Sequence, residues 1–376
     1  MSTRGTGRLL TLAEAGRSAS WAALCDSDDL FCTAPWLAVE RDAVGPWVPA
    51  RSACLVRTDG DHVVAGVTLQ QFDRAVGDET CRVDKMVRSL TGCDDTLGAE
   101  LEAALLPSLM CGGWFNSTVL TPPGLPGPAA GAARRAAIAE AVATARSWGS
   151  PSVCFPYVDG ADAGLRAALR DAGFRELPAP ARHVLDCDHP SYDAYLATLP
   201  SRRRVRMRKE WRQFQEAGVV TDQVPLEGAT VERAAALAHR LDQKYGESST
   251  AGQLTEWFAA IARHVPATVF TASLEGRVFA MTLWLHCGER LYGFHAGFDY
   301  EVGRGLPMYS VVGYHLPIAY GCAHPGVKVL EYGISADEAK LLRGTRALPQ
   351  TLALLPLTPR AEAVLTKLED RLPSPA

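Results

Sequence analysis

ATVFTASLEGRVFAMTLWLHCGERLYGFHAGFDYEVGRG, residues 267–305, decides the fold. It reads as three consecutive strands, ATVFTASLEG, RVFAMTLWLHCG and RLYGFHAGFDY. Upstream lie a strand near Val219 to Pro225 and two helices, ERAAALAHRLDQKYG and LTEWFAAIARHV. Downstream come a helix, LPMYSVVGYHLPIAYG, a strand, VKVLEYG, a short helix, ADEAKLLRG, and a final apolar stretch, LPQTLALLPL. The order is strand, two helices, three strands, helix, strand, helix, strand, which is not a Rossmann alternation.

The first half is also mixed α and β. SACLVRTDGDHVVAGVTLQQF reads as two strands around a turn at Thr58 to Asp61. TPPGLPGPAAG, residues 121–131, reads as a loop before an Ala-rich helix that ends near Trp148 and Gly149. SVCFPYV is a short buried strand, GLRAALRDAGF a helix stopped by Gly173, and FRELPAPARHVLDCD extended chain. VDKMVRS, residues 83–89, reads as structural, with an acceptor-side contact as the alternative.

Between the halves, HPSYDAYLATLPSRRRVRMRKEWRQFQEAG reads as helical from about Tyr192, interrupted near Pro200 and ended by Gly218. Arg202, Arg203, Arg204, Arg206, Arg208, Lys209 and Arg212 place seven cations in eleven residues. Met207, Trp211 and Phe214 share one face, which should dock on the protein. Arg202, Arg206 and Lys209 share a nearly opposite face, and Arg204, Arg208 and Arg212 form a third row. Glu210 and Glu216 are too few to pair with all seven. Like charges at i,i+4 cost about 0.2–0.5 kcal/mol per pair, so a bound polyanion, or acidic groups from elsewhere in the fold, would offset the repulsion.

The 376 residues suit two domains. A net charge of −4 excludes a global polycation, so any nucleic-acid affinity has to be local. There is no apolar run of about 18 residues or more, so no membrane span is expected. MSTRGTGRLLTLAEAGRS is read as carrying no secretion signal, and the expected location is cytoplasmic. The ten cysteines form no CxxC and no zinc spacing; they read as reduced thiols, with no metal and no bound cofactor.

The order of elements resembles the GNAT acyltransferase fold, whose mixed sheet splits open around the helix after the fourth strand. Two such domains in one chain resemble the Fem-like aminoacyltransferases and the peptidoglycan-biosynthesis-protein branch of that superfamily. YLATLPSRRRVRMRKEWRQFQEAGV is similar to the branch's basic helix, and VLEYGISADEAKLLRG to its strand, glycine, lysine and Arg-Gly ending. The resemblance runs from about Leu30 to Leu357 and implies an α/β fold of two tandem GNAT-like domains. The expected limits are a degenerate first domain at 1–189, a basic linking helix at 190–217 and a donor-site domain at 218–376. No room is left between Glu232 and Pro266 for the coiled-coil arm of the cell-wall Fem enzymes.

The resemblance implies an acyl transfer to an amine, from an aminoacyl-tRNA or, as the alternative, an acyl-CoA. A third reading is a GNAT-shaped protein that binds RNA or nucleotide without catalysis. GNAT enzymes hold CoA pyrophosphate in a Gly-rich turn, and YEVGRG offers Gly303, Arg304 and Gly305 there, with Tyr300 where Gln or Arg is usual. Matching positions in Fem-like enzymes put Lys340 and Arg343 at the donor site, where they would meet an oxyanion or terminal phosphates. Lys340 and Arg343, three apart on a short helix, share a face. Asp299, Glu331 and His295 are the candidate bases for an amine acceptor. Their structural alternatives are a turn cap, a salt-bridge partner and a half-buried strand histidine. Tyr245, Tyr309 and Tyr332 are candidates for the acceptor pocket, or else core aromatics. No GxSxG and no Cys/His arrangement is present, so no covalent acyl-enzyme is expected. The acyl group, the acceptor and the oligomeric state stay open.

Overall fold

The computed structural model describes residues 5–25, 29–45, 47–76, 79–368 and 371. Twelve strands occur among them, in chain order. They are β1 (Thr6–Leu10), β2 (Arg51–Asp59), β3 (His62–Phe72), β4 (Ser108–Cys111), β5 (Ser152–Asp159) and β6 (Arg175–Asp186). Then follow β7 (Val220–Pro225), β8 (Ala267–Leu274), β9 (Arg277–Cys287), β10 (Arg290–Phe298), β11 (Val329–Gly333) and β12 (Arg346–Pro356).

The chain forms two compact units. The first holds the described residues of 1–41, 46–180 and 349–376; the second holds 42–45 and 181–348. The chain leaves the first unit within β6 and returns to it within β12. The division therefore differs from the limits at 189 and 217 expected from sequence. The basic helix Ser201–Glu216 is not a linker, because Met207 and Phe214 are buried in the core of the second unit.

Each unit builds the same ladder. In the first, β1, β2, β3 and β4 pair antiparallel, β4 pairs parallel with β5, and β5 pairs antiparallel with β12. In the second, β7, β8, β9 and β10 pair antiparallel, β10 pairs parallel with β11, and β11 pairs antiparallel with β6. Each sixth strand thus comes from the chain segment that follows the other unit's fifth. The degraded first-half order read from the sequence is a full repeat in topology.

Burial on both faces explains why the strands read as apolar runs. Leu55 of β2, with Val67 and Leu69 of β3, faces the Ala-rich helix Gly127–Ser147, while Cys54 and Val56 face Trp21 and Leu37. That helix starts inside the stretch expected to be loop. Pro128 sits in its first turn, where a missing N–H costs nothing. In the second unit, Phe270, Phe279, Leu291, Val311, Ile318 and Leu330 centre the core. Helices Ala229–Tyr245 and Ala251–His264 are 17 and 14 residues long, with no coiled-coil arm between them. No helix among the described residues is long and apolar enough to cross a membrane.

Candidate functional site

The second unit opens where its parallel pair ends. β10 and β11 pair only from Arg290–Val329 to Tyr292–Glu331, although β10 runs on to Phe298. Bulges follow at once, between Gly293 and His295 and between Glu331 and Gly333. Bulges re-aim side chains and concentrate beside active sites. Trp284, Tyr332 and Tyr314 pack here: Tyr314 stacks on Tyr332 at 4.9 Å, and Trp284 meets Tyr332 edge-on at 5.1 Å.

The helical run after β10 contains a π-turn, Val311–His315, between Met308–Ser310 and Leu316–Ala323. Such turns recur at functional sites because they rotate side chains out of the ordinary helical phase. Here the turn carries Tyr314 and His315, both buried. Before the run, a pocket of about 300 Å³ is lined by Tyr300, Gly303, Arg304, Gly305, Tyr309 and Ser310, among others. This is the lower end of the range for small-molecule sites. A Cβ on Gly303 would lie 2.0 Å from Met308 Sδ, so the turn needs glycine there unless Met308 moves.

Lys340 and Arg343 do not face bulk solvent. They are only 4% and 7% exposed. Lys340 Nζ donates to the carbonyls of Gly333 (3.0 Å) and Ile334 (2.6 Å). Burial pushes its ammonium down to about 8, against an opposing pull from Asp337. The backbone it braces is left-handed at Ser335 and Ala336, with φ of 70° and 54°. Such strain persists where surroundings enforce it, and functional sites are frequent places. His183 holds the same segment from both ends, with Nε2 3.1 Å from Asp337 Oδ1 and Nδ1 3.1 Å from Thr345 Oγ1.

Arg343 is gripped on several sides. Nη1 donates to the Ala339 carbonyl (2.8 Å) and Nη2 to Ser310 Oγ. Its guanidinium lies 4.5 Å from the Tyr314 ring centre, and its carbonyl accepts from Tyr195 Oη. Glu210 Oε2 is 3.9 Å from Nη2, whereas Nε is buried without a partner among the described residues.

Glu210 comes from the basic helix, and its role was missed. Its carboxylate accepts from Arg206 Nε (3.0 Å) and lies 3.5 Å from His315 Nε2. His315 Nδ1 is 2.7 Å from Tyr192 Oη, and Trp211 stacks on the imidazole at 5.9 Å. Burial raises the Glu210 carboxyl, but His315, Arg206 and Arg343 outweigh it and hold it below the ordinary range. Burial also lowers His315, which favours the neutral ring. Met207, Glu210 and Phe214, spaced three and four apart, are the buried phase of the helix, while Trp211 is half-buried. That spacing was the available signal for Glu210.

The seven cations divide. Arg203 donates to the Leu341 carbonyl (3.0 Å), Arg204 to the Ala197 carbonyl (3.2 Å), and Arg208 lies 3.8 Å from Asp193. Arg202, Lys209 and Arg212 are exposed, with no ion-pair partner among the described residues.

The three candidate bases meet different fates. Asp299 is a turn cap: Oδ1 accepts from the N–H groups of Glu301 and Val302, and Oδ2 pairs with Arg240 and Arg277 at 2.6 Å each. Burial raises its carboxyl, but these hydrogen bonds and arginines hold it below the ordinary range, as its turn-cap alternative requires. Glu331 is ion-paired with Arg290 and Arg182. His295 is part-buried on the stretch of β10 beyond the parallel pairing, with Nε2 3.6 Å from Asp242 Oδ1. Of the tyrosines, Tyr309 Oη meets Tyr314 Oη at 3.0 Å, so Tyr309 and Tyr332 join one cluster through Tyr314. Tyr245 is 69% exposed at a helix end, beside Lys244, and is outside that cluster.

Residues 126–367 match the FemAB-like family model, described as peptidoglycan biosynthesis/recognition. A search of curated proteins gave no match. Among solved structures the chain is similar to FemX, with TM-score 0.62 and 10% identity over 97% of this chain and 100% of that one. It is similar to a tandem GNAT protein from the clavulanic acid biosynthesis pathway, with TM-score 0.57 and 14% identity over 95% and 99%. It is also similar to L-PGS from Bacillus licheniformis, with TM-score 0.50 and 12% identity over 81% and 86%. At these identities the likeness establishes the tandem GNAT fold, and it agrees with the repeated ladder. The family match spans more than half of the sequence, so this protein belongs to the FemAB-like family and is an acyltransferase.

Proposed function

We propose that the protein moves an aminoacyl group from an aminoacyl-tRNA to the amine of a small-molecule or cell-wall-type acceptor. One observation carries this reading: Arg343 touches Ser310, which lines the 300 Å³ pocket, and lies 3.9 Å from Glu210 on the basic helix. The cationic helix and the pocket are thereby tied through one guanidinium. Arg202, Lys209 and Arg212 remain for phosphates outside the pocket, a wider basic surface than a compact CoA needs. Such contacts position a nucleic acid and read no sequence.

In this reaction the neutral amine attacks the ester carbonyl, the C–N bond forms, and the C–O bond to the ribose breaks. The amine proton passes to His295, whose Nε2 lies 3.6 Å from Asp242, and a proton returns to the ribose oxygen. Lys340 and Arg343 face the tetrahedral oxyanion. One such donor is worth about 2.7–4 kcal/mol. Holding both reactants contributes about 7–11 kcal/mol more, so no enzyme nucleophile is required.

A second reading, an acyl-CoA N-acyltransferase, is favoured by the pocket itself, since Gly303, Arg304 and Gly305 precede a helical run as a pyrophosphate cradle would. Incubation with a mixture of charged tRNAs and, separately, with acyl-CoAs decides between them by which donor is consumed. Under the favoured reading, tRNA affinity falls steeply with salt, and Arg202, Lys209 and Arg212 changed together to Gln lower the slope of log K against log salt by about 2–3. A flat salt dependence overturns it.

A further inference from the structure

Glu210 is the one carboxylate buried in the cationic helix, and it lies where an anionic ligand would be expected. Its Oε1 takes the Arg206 hydrogen bond, and its Oε2 faces both His315 and Arg343. A small cavity of about 20 Å³ adjoins it, lined by Arg203, Arg206, Met207, Glu210, Leu342 and Arg343. The buried Nε of Arg343 has no acceptor among the described residues. Three guanidinium groups therefore border one small space whose internal anion is Glu210, and one of them carries an unused donor.

A plain i,i+4 pair with Arg206 does not require this arrangement. Surface pairs of that kind leave both groups in water and contribute little. Here the carboxylate is buried against Arg206 of its own helix and against His315 and Arg343 from two other parts of the chain. Arg206 reaches the carboxylate through Nε at 3.0 Å and Arg343 stands 3.9 Å off with Nη2, and arginines so placed around an anion also suit phosphate. Both oxygens of Glu210 are in use, so a phosphate reaching Arg206 and Arg343 meets a negative charge already seated there.

We propose that Glu210 is an internal stand-in for a phosphoryl group: the small cavity beside Arg203, Arg206 and Arg343, together with the space its carboxylate now fills, is a seat for one phosphate of the donor, and Glu210 sets its affinity by competing for the two arginines. Phosphate entry turns Glu210 away from Arg206 and Arg343 and supplies the acceptor that Arg343 Nε lacks. This rests on the phosphate-bearing donor proposed above, and it assigns a single affinity-setting residue within that site.

The test is calorimetric titration of inorganic pyrophosphate, and filter binding of unfractionated tRNA, against the full chain and Glu210→Gln. The variant keeps an oxygen for Arg206 but removes the charge. It is expected to bind both probes about tenfold more tightly, because one competing negative charge is removed from the seat. Unchanged or weaker pyrophosphate binding by a folded Glu210→Gln overturns the proposal, since Glu210 would then only brace Arg343. If that variant does not fold, Glu210→Asp, which draws the charge back by one methylene, is expected to tighten binding by a smaller factor, and no tightening overturns it equally. A wild-type chain that binds no tRNA sinks the tRNA reading alone, because the pyrophosphate comparison still decides the seat.

Discussion

Lys340 Nζ lies 2.6 Å from the carbonyl oxygen of Ile334, so the proposed catalytic ammonium also braces the strained turn before its own helix. Burial brings that ammonium down to about 8. The group is charged below that pH and neutral above it. Transfer activity that depends on the ammonium is therefore expected to fall as pH rises through about 8, and Lys340→Arg to move this limb upward. Stability runs the other way. Between about 8 and the unfolded lysine value of about 10.4, the unfolded chain binds more protons, so this group's contribution to stability grows with pH. A pH–rate profile and melting curves over pH 7–10 check both signs.

Arg343 uses both Nη atoms and a ring face at once. Lysine cannot reproduce a planar fork over an aromatic ring. Arg343→Ala and Arg343→Lys are both expected to lower kcat by about 10²–10³-fold if the guanidinium meets the oxyanion. Steady-state kinetics with the accepted donor measure this, and a change confined to KM would assign Arg343 to donor binding alone.

His183 is fully buried, and burial lowers it below the ordinary histidine range, although Asp337 pulls it up. The neutral ring donates from Nε2 to Asp337 and accepts at Nδ1 from Thr345. A depressed histidine gives stability that is complete above about pH 6.5, the unfolded value, and is lost as pH falls below it. His183→Gln is expected to cost about 1–3 kcal/mol at neutral pH and to flatten this acid limb. Denaturant melts at pH 5 and pH 7.5 give the comparison.

Gly297 on β10 lies against the backbone of helix Ala229–Tyr245. A Cβ there would be 2.4 Å from the Leu237 carbonyl carbon and 2.5 Å from the Ala238 nitrogen. Neither atom can give way as a flexible side chain would. Gly297→Ala is expected to destabilise the second unit by about 1–3 kcal/mol or more, read as a lower denaturant midpoint.

Local sequence determined the elements that carry the site. Period and breakers marked the run of three strands at 267–298, the basic helix closed before Gly218, and the short helix Asp337–Leu341 with Lys340, although Arg343, expected on that helix, lies in the turn just past its end. These signals are legible because they depend on residues a few positions apart. The tertiary structure decided what the charged groups do. Asp299 caps a turn and is also ion-paired, because Arg240 and Arg277 reach it from a helix and a neighbouring strand. Glu331 is held by Arg182, far earlier in the chain, and Glu210 meets His315 across 105 residues. The segments of β6 and β12 were legible as extended chain, but their partners were not, since each is recruited from the segment after the other unit's fifth strand. A carboxylate's role follows from which cation comes within about 4 Å of it and how much water is excluded there. Both are properties of the folded chain, and neither can be read from spacing along it.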